Sequence, residues 1–394
     1  MNKIKDFFAG AYRAAVFEFK CAMKDKGIMI FLFLVPLLYP IVYALIYNTE
    51  VSRDVPMVIV DEDRSALSRE LGRLIDGSEA GMVAGYAADM EEAKAMVAEK
   101  KAYGIVYIDR DFSKTIERGE SATVTLFMDM SLMIRYKSQL VSLTDATLDL
   151  GSKVQVEALS RLGADGPKIP TTVASYYYPV GNPEQGFGTF LLPGILVMIV
   201  QQTLLLSVCM MGGGMNERRR MLGGRNPLSS LNAGPVAIML GKAVTYLCLY
   251  ILPMVFLLLL VPYMFSYPQL GGLGDILQLV LPFILSTVFL GMVLQVFVSE
   301  RETSFLVIVF TSIIFLFLSG LVWPVYDMPA WIRVMSACTP SSWAVPAFVR
   351  INSNGAVLSE VAGEYQMLWV LTAVYFLLAY GVNKLVPRGM FRKL

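Results

Sequence analysis

Histidine is absent from this sequence of 394 residues, and cysteine occurs only four times. Without histidine the chain has no Ser-His-Asp triad and no metal site that depends on imidazole. The cysteines stand singly at Cys21, Cys209, Cys248 and Cys338, which is not the spacing of a zinc site. In the topology derived below only Cys338 faces an oxidising compartment, so we expect no disulfide within the chain.

Charged residues are also scarce, at 16% of the chain, whereas 56% of the residues are hydrophobic and the mean hydropathy is +0.58. Soluble domains contain about 45–50% apolar residues. The charges cluster between long apolar runs, which is typical of a membrane protein with several spans. The net charge of +1 gives no reason to expect a nucleic-acid partner.

A phosphate-binding loop of the form G-x-x-x-x-G-K-[ST] is missing as well. The nearest match is Gly241-Lys242, but Val236 stands where the first glycine should be, and Ala243 replaces the serine or threonine. We therefore expect that the chain is not an enzyme and does not hydrolyse ATP. We predict no catalytic residue, no metal site and no cofactor bound by this chain.

One enzyme-like pattern has to be weighed. Gly272-Leu-Gly-Asp275 fits the G-x-G-D motif of intramembrane aspartyl proteases, and Tyr326-Asp327 supplies a second carboxylate with which a proton could be shared. Both aspartates lie at the ends of apolar runs, however, and the two motifs come in the reverse order. Loop-capping roles explain them better.

Six apolar runs are long enough to span a membrane, because about twenty helical residues cover the hydrocarbon layer of about 30 Å. They are 28–47, 187–211, 236–265, 276–298, 304–323 and 367–386. Residues 1–27 carry apolar side chains at helical spacing, with Arg13, Lys20 and Lys24 on the other side. This pattern predicts an amphipathic helix at the membrane surface. A plain cytoplasmic lead-in is the alternative.

The segment 48–185 is a different kind of sequence, with 15 Lys and Arg against 22 Asp and Glu, a net charge of −7. Strand-like runs at 56–60, 82–86, 104–108 and 122–128 alternate with helical segments, and the longest helical segment covers 131–162. Residues 171–178 form a further candidate strand. The fold class predicted is an α-helical polytopic membrane protein with six transmembrane helices and an inserted extracytoplasmic α/β (α+β) domain. A five-helix transmembrane part follows at 186–394.

The distribution of Lys and Arg predicts the orientation. Outside the inserted domain, the predicted external loops hold only Arg333 and Arg350, and the predicted cytoplasmic segments hold the other sixteen. Basic residues near span ends resist translocation, so both termini and the loop 212–235 are expected in the cytoplasm.

That loop carries a single acid and four arginines within twelve residues: Glu217, Arg218, Arg219, Arg220 and Arg225. They are the candidates for contact with a cytoplasmic partner. A role in topology alone is the alternative. Within the second run, Gln201 and Gln202 lie near the middle of the membrane, where polar groups normally face other helices. Hydrogen bonding between helices and contact with a transported substrate are both open for them.

Several short motifs resemble one family in the same order along the chain. They are Val60–Leu71, Tyr103–Ser113, Arg118-Gly-Glu120, Asn182-Pro-Glu184, Leu192-Pro-Gly194, Ser319-Gly320, Trp323-Pro324, Met328-Pro329 and Thr339-Pro340. The chain resembles a permease subunit of the ATP-binding cassette type 2 exporter family, in the branch with a large extracytoplasmic domain after the first span. Where the family usually has a Glu-rich stretch with Gly-Thr before a proline, this chain keeps Glu217 and Pro227 around an arginine-rich middle.

The resemblance implies an exporter, such as a multidrug or lipid efflux system, in a bacterial cytoplasmic (inner) membrane. Two permease subunits, identical or close paralogues, would form the pathway, and two separate ATPase subunits holding ATP-Mg would push on the loop and on the amphipathic helix. Membrane lipids and a periplasmic adaptor protein are further expected partners. External helices within 324–365 would cap the exit, with Trp323, Pro324, Met328, Pro329 and Trp331 as the cap residues.

The alternative function is a non-transporting membrane receptor or scaffold that presents the external domain to a binding partner. Six spans are more than an anchor requires. Four of the spans contain proline, which is more typical of helices that bend or move than of helices that only anchor a domain. The transporter is therefore the favoured prediction.

Overall fold

The structure is a computed structural model that describes residues 2–47, 52–161, 182, 186–223 and 227–385. The chain divides into two compact units. The first comprises Met1–Asn48, Val180–Pro183 and Gly188–Leu394, and the second comprises Thr49–Pro179 and Glu184–Phe187. The candidate strand at 171–178 and the predicted loop residue Arg225 lie outside the described residues.

Six helices of the described chain are long and apolar enough to cross a membrane, which confirms the predicted number of spans. From the first span to the sixth they are Lys26–Ile46, Phe187–Met221, Pro235–Met264, Leu273–Phe297, Arg301–Leu318 and Leu358–Val382. The helix Asn2–Lys24, called the N-terminal helix below, precedes them. Two shorter helices, Ala330–Ala337 and Pro340–Asn354, lie between the fifth and sixth spans.

In the second span, 89% of the most apolar segment is buried within the chain, whereas in the fifth span only 17% of that segment is buried. The second span is therefore the most enclosed of the six. Gly291 of the fourth span lets Val208 approach closely, and the Cys209 thiol donates a hydrogen bond to the Gly291 carbonyl at 3.7 Å. Exposed side chains on the fifth span, such as Phe310 and Ile313, are chemically suited to lipid or to another subunit. The other spans are therefore arranged around the second.

The second span does not end at Met211, where the apolar run ends, but continues as one helix to Met221. The predicted loop at 212–235 therefore begins with almost three turns of helix. Three consecutive glycines would weaken such a helix in isolation. Here they lie against the turn between the fourth and fifth spans, and contacts described below hold the helix. A 3-10 turn, Pro227–Leu231, leads to the third span.

The first and third spans each contain a π-helical turn, Ile30–Leu34 and Phe256–Leu260. In each case α-helix resumes directly afterwards, with Pro36 or Pro262 in its first turn. Proline lacks the N–H of the regular helical bond and its ring clashes with the carbonyl four residues earlier, so a departure from α-helical geometry just before it is expected. A wide helical turn thus lies just before the proline in both spans.

The N-terminal helix packs along the third span. Gly10 lies against Ala233, and Gly241 lies against the backbone of Ala11, so the two helices approach closely where side chains are small. The Thr245 hydroxyl donates a hydrogen bond to the Ala15 carbonyl at 3.0 Å. These contacts follow one another in the same order along both helices.

A buried ion pair also joins the N-terminal helix to the third span. The Lys242 ammonium is 3.3 Å from Glu18 Oε1, and the two side chains are 8% and 1% exposed. The Tyr246 hydroxyl also reaches Glu18 Oε1, at 3.4 Å. Glu18 Oε2 is buried and has no hydrogen-bond partner among the described residues. The carboxylate therefore depends on Lys242 for most of its compensation.

Four strands form the sheet of the second unit: β1 Val55–Asp61, β2 Gly81–Ala87, β3 Gly104–Ile108 and β4 Val124–Met128. Their order is β2-β1-β3-β4, with β1 parallel to β2 and β3, and with β4 antiparallel to β3. The helices of this unit are Ala66–Asp76, Met90–Ala98, Phe112–Glu117 and the long Met133–Arg161. This alternation matches the α/β pattern predicted from the sequence.

Both faces of the sheet are covered by helices. Met57 and Ile59 of β1 belong to a core with Leu71 and Leu143, and Val58 on the opposite face belongs to a second core. Burial on both faces explains the unbroken apolar run of β1. The long helix is also tied down at its surface, where Lys153 donates a hydrogen bond to Glu70 at 2.8 Å and lowers the pKa of that carboxyl.

Replacing Lys242 by methionine should leave the Glu18 carboxylate buried without a cation beside it. We expect the packing of the N-terminal helix on the third span to become less stable by ~3–5 kcal/mol. The apparent melting temperature of the purified chain in detergent is the measurement. The double variant Glu18→Met with Lys242→Met should recover most of the loss, because neither charge is then left without its partner. A double variant no more stable than Lys242→Met would contradict this account.

Candidate functional site

Four segments meet at the end of the bundle that carries most of the charge in the first unit. They are the end of the N-terminal helix, the start of the first span, the end of the second span, and the turn between the fourth and fifth spans. We call this region the charged end and define it by Asp25, Glu217, Arg220, Glu300 and Arg301. Two of these, Glu217 and Arg220, are predicted loop residues, and Arg218 lies beside them on the second span.

Glu217 caps the fifth span from a different helix. Its carboxylate oxygen Oε1 accepts a hydrogen bond from the backbone N–H of Arg301 at 2.8 Å. Arg301 is the first residue of the fifth span, and the local N-cap, Glu300, makes no side-chain cap of its own. A negative charge at the start of a helix is also favoured by the helix dipole.

The neighbours of Glu217 hold the same turn. The Asn216 amide donates to the Val298 carbonyl at 2.9 Å, and Arg220 donates to the Ser299 carbonyl at 2.7 Å. Arg220 is also 3.2 Å from the carboxylate of Glu300. One turn of the second span thus makes three hydrogen bonds to the backbone that connects the fourth and fifth spans.

Glycines make this approach possible. A side-chain carbon at Gly213 would lie 2.8 Å from the backbone carbonyl of Glu300, and one at Gly212 would lie 2.6 Å from Gln295. The turn therefore rests directly on the backbone of the second span. The sequence alone indicated no role for Gly212–Gly214, and the structure shows that they allow this close packing.

The first span is joined to the same place. Asp25 caps it, since its Oδ1 accepts hydrogen bonds from the N–H groups of Gly27 and Ile28 at 3.1 and 3.3 Å. The other oxygen of Asp25 forms an ion pair with Arg301. Arg218 reaches back to the sulfur of Cys21 at 3.5 Å. The starts of the first and fifth spans are thus linked by one ion pair.

The predicted loop residues differ in what they contact. Glu217 and Arg220 are engaged within the chain, Arg218 is exposed, and Arg219 is partly buried. Two apolar side chains of this loop that the prediction left out are exposed, Met221 at 84% and Leu222 at 55%. Two apolar residues directly after a basic cluster were the sequence signal for them.

The two glutamines of the second span have different surroundings. Gln201 is fully buried, and its Oε1 accepts a hydrogen bond from the backbone N–H of Ser341 at 2.7 Å. Ser341 lies in the first turn of the helix Pro340–Asn354, whose N-cap Thr339 makes no side-chain cap. Both amide atoms of Gln202 are buried without a hydrogen-bond partner among the described residues.

The predicted exit-cap residues lie in a compact connection after the fifth span. Trp323 and Trp331 are exposed, Met328 is buried, and Pro324 and Pro329 are the N-caps of a 3-10 turn and of the helix Ala330–Ala337. The connection is anchored by hydroxyls. Ser336 and Ser342 both donate to the Leu318 carbonyl at the end of the fifth span, at 2.7 and 2.8 Å.

Sequence reasoning missed Asp25, Asn216 and Arg301. Asp25 had a readable signal, because an aspartate directly before an apolar helical run is a typical N-cap. Arg301 lies in Ser299-Glu-Arg-Glu302, a short charged stretch between two apolar runs that carries no local signal for a distant partner. Its pairing with Asp25 joins residues 276 positions apart, so no local pattern could reveal it.

Replacing Gly213 by alanine should force the second span and the turn apart, because the added methyl would overlap the Glu300 backbone. We expect a loss of ~1–3 kcal/mol, read as a lower apparent melting temperature. Gly381→Ala in the sixth span is the matched control, since a side chain there meets open space. If the two variants melt alike, the close approach at Gly213 contributes nothing to stability.

Comparison with known proteins agrees with this architecture. A family model described as ABC-2 family transporter protein matches residues 26–380, which is most of the chain. The protein named Probable multidrug ABC transporter permease YbhR of Escherichia coli strain K12 is 22% identical over 374 residues. The alignment covers 93% of this chain and 95% of that protein, and the protein of the same name from Escherichia coli O157:H7 gives the same values. The family match, together with six membrane-spanning helices, confirms the resemblance seen in the sequence: the chain is a multi-pass membrane protein that belongs to the ABC-2 family of transporter proteins.

Proposed function

We propose that this chain is the permease subunit of an exporter that moves its substrate outward and is powered by a separate ATPase subunit. The observation that carries the proposal is the charged end. There, one stretch of the second span is hydrogen-bonded to the turn before the fifth span, and that turn is ion-paired to the start of the first span. A partner that pushes on this region would act on three spans at once.

The charged end is the cytoplasmic side in this proposal, and the unit with the sheet is extracytoplasmic. The support is the bias of Lys and Arg along the sequence, which favours retention of the charged end in the cytoplasm. The membrane is the bacterial cytoplasmic membrane, as expected for a chain similar to an Escherichia coli permease. The ATPase would hold ATP-Mg, because this chain has no phosphate-binding loop in its sequence.

The substrate class we propose is an amphiphilic or apolar compound, either a drug-like molecule or a lipid. The name of the similar protein, a probable multidrug permease, supports this class. The apolar cavity lined by Val197, Met254 and Phe283 has a volume of about 10 Å³, room for about one water molecule. We therefore place the pathway between two copies of the permease, or between this chain and a close paralogue, and not through this cavity.

Within that pathway we assign Gln202 as a candidate polar contact, because its amide is buried and has no hydrogen-bond partner among the described residues. The connection from Trp323 to Trp331 would cover the exit. An adaptor protein on the outer side and lipids around the weakly enclosed fifth span are the remaining proposed partners. A receptor or scaffold without transport remains the competing function, and the association experiment below separates the two.

Orientation can be tested by labelling single cysteines in a background without Cys21, Cys209, Cys248 and Cys338. Met221→Cys and Ser121→Cys place thiols at exposed positions of the two units. A membrane-impermeant maleimide should label position 121 in cells with a permeabilised outer membrane and should reach position 221 only after the inner membrane is opened. Labelling of both positions from outside would reject the proposed orientation.

Association can be tested by co-expressing the chain with each ATP-binding cassette ATPase of the same genome, purifying the complex and weighing it by native mass spectrometry. We expect two permease chains and two ATPase chains. A complex with a single permease chain would reject the dimer, and no association with any such ATPase would favour the receptor or scaffold.

Single substitutions in the loop should then have unequal effects. Arg220→Ala should mainly lower stability, because its contacts are internal. Changing the exposed Arg218 should weaken association roughly thirtyfold or more if it pairs with a desolvated acid on the ATPase, a loss of ~2–5 kcal/mol. The loop would serve only to set the orientation of the chain if association and substrate-stimulated hydrolysis stay normal in every one of these variants: Glu217, Arg218, Arg219 and Arg220.

A further inference from the structure

Two helices of the first unit whose N-cap residues make no side-chain cap, the fifth span and Pro340–Asn354, receive an acceptor from the second span. The first backbone N–H groups of any helix lack a partner within the helix. For the fifth span, the N–H of Arg301 is bonded by Glu217, and for the helix Pro340–Asn354 the N–H of Ser341 is bonded by Gln201. Each bond is made by a single side-chain oxygen at 2.7–2.8 Å.

The two capping residues lie far apart on one continuous helix. They are 16 positions apart, which is about 24 Å along the helix axis at 1.5 Å per residue. The only proline inside this helix, Pro193, lies before Gln201, so no proline interrupts the segment between the caps. The glycines of that segment are held by the turn between the fourth and fifth spans. A displacement at Glu217 is therefore carried to Gln201 with little loss.

We infer that the second span couples the charged end to the helices before the sixth span, and that Gln201 and Glu217 are the positioning residues of this coupling. In this arrangement Glu217 is an internal cap and not a contact with a partner, and Gln201 is a structural link and not a substrate contact. Movement of the second span carries the start of the fifth span and the start of Pro340–Asn354 with it. Only the source of that movement rests on the proposed function.

The chain contains its own controls. Gln202 lies next to Gln201 on the same helix but bonds to nothing among the described residues, so Gln202→Met should leave both caps intact. Glu217→Gln removes the charge and keeps an acceptor oxygen, whereas Glu217→Met removes the acceptor at a similar length. If Glu217 served a basic partner by its charge, the glutamine variant would be as defective as the methionine variant.

The first measurement uses the full chain alone, in lipid nanodiscs, with two pairs of spin labels in a cysteine-free background. One pair, at Met221 and Glu302, reports on the Glu217 cap, and the other, at Phe190 and Asn354, reports on the Gln201 cap. All four positions are exposed. We expect Glu217→Met to broaden the first distance distribution at least twofold, and Gln201→Met to broaden the second at least twofold.

In the same measurement, Glu217→Gln and Gln202→Met should match the parent. The inference is overturned if Glu217→Met or Gln201→Met leaves its own distance distribution unchanged, or if Glu217→Gln broadens it as much as Glu217→Met does. Should Gln201→Met fail to fold, Gln201→Asn replaces it, because the shorter side chain withdraws the oxygen from Ser341.

The second measurement adds the ATPase subunit with ATP and vanadate. The parent should show a shift of the Phe190–Asn354 distance, and Gln201→Met should lose that shift while hydrolysing ATP at the parental rate. A shift of parental size in Gln201→Met would overturn the coupling role. If no ATPase binds the parent, the proposed function fails, and the measurement on the chain alone still decides whether the two caps hold their helices.

Discussion

The constraint on which the first unit depends is that backbone N–H groups must find acceptors where water is scarce. Within a bilayer an unpaired backbone group costs several kcal/mol. Asp25 supplies such an acceptor locally, at the start of the first span. The N-cap residues of the fifth span and of the helix Pro340–Asn354 make no side-chain cap. The second span, the most enclosed helix of the bundle, supplies the acceptors. Polar residues on the second span are therefore required by helices that begin beside it.

Charge in this unit is handled in two ways. At the contact between the N-terminal helix and the third span, Glu18 and Lys242 are both buried, so each carries a desolvation cost that the other offsets. At the charged end, Arg220 and Glu300 remain more than half exposed, and their ion pair contributes little by itself. Apart from the ion pair between Asp25 and Arg301, the bonds that fix this region go to backbone groups, whose positions do not depend on long flexible partners.

The spans and the strands could be predicted from the sequence because each depends on a local pattern. Twenty apolar residues or a β-branched run such as Val55–Val60 carry their own signal. The end of the second span could not be predicted, because Gly212–Gly214 continue as helix only when the turn at Gln295–Arg301 lies against them. Gln201 was predicted to be polar within a span, but its partner, a backbone N–H 140 positions away, depends on tertiary packing.

The π-helical turns in the first and third spans change how side-chain faces should be assigned. An extra residue in a helix rotates everything beyond it by about 100°, since an α-helix has 3.6 residues per turn. Residues before Ile30 and after Leu34 therefore do not follow one helical wheel, and the same holds on either side of Phe256–Leu260. An alignment that matches these spans to regular helices must carry a one-residue insertion in each, or it will pair lipid-facing positions with interior ones.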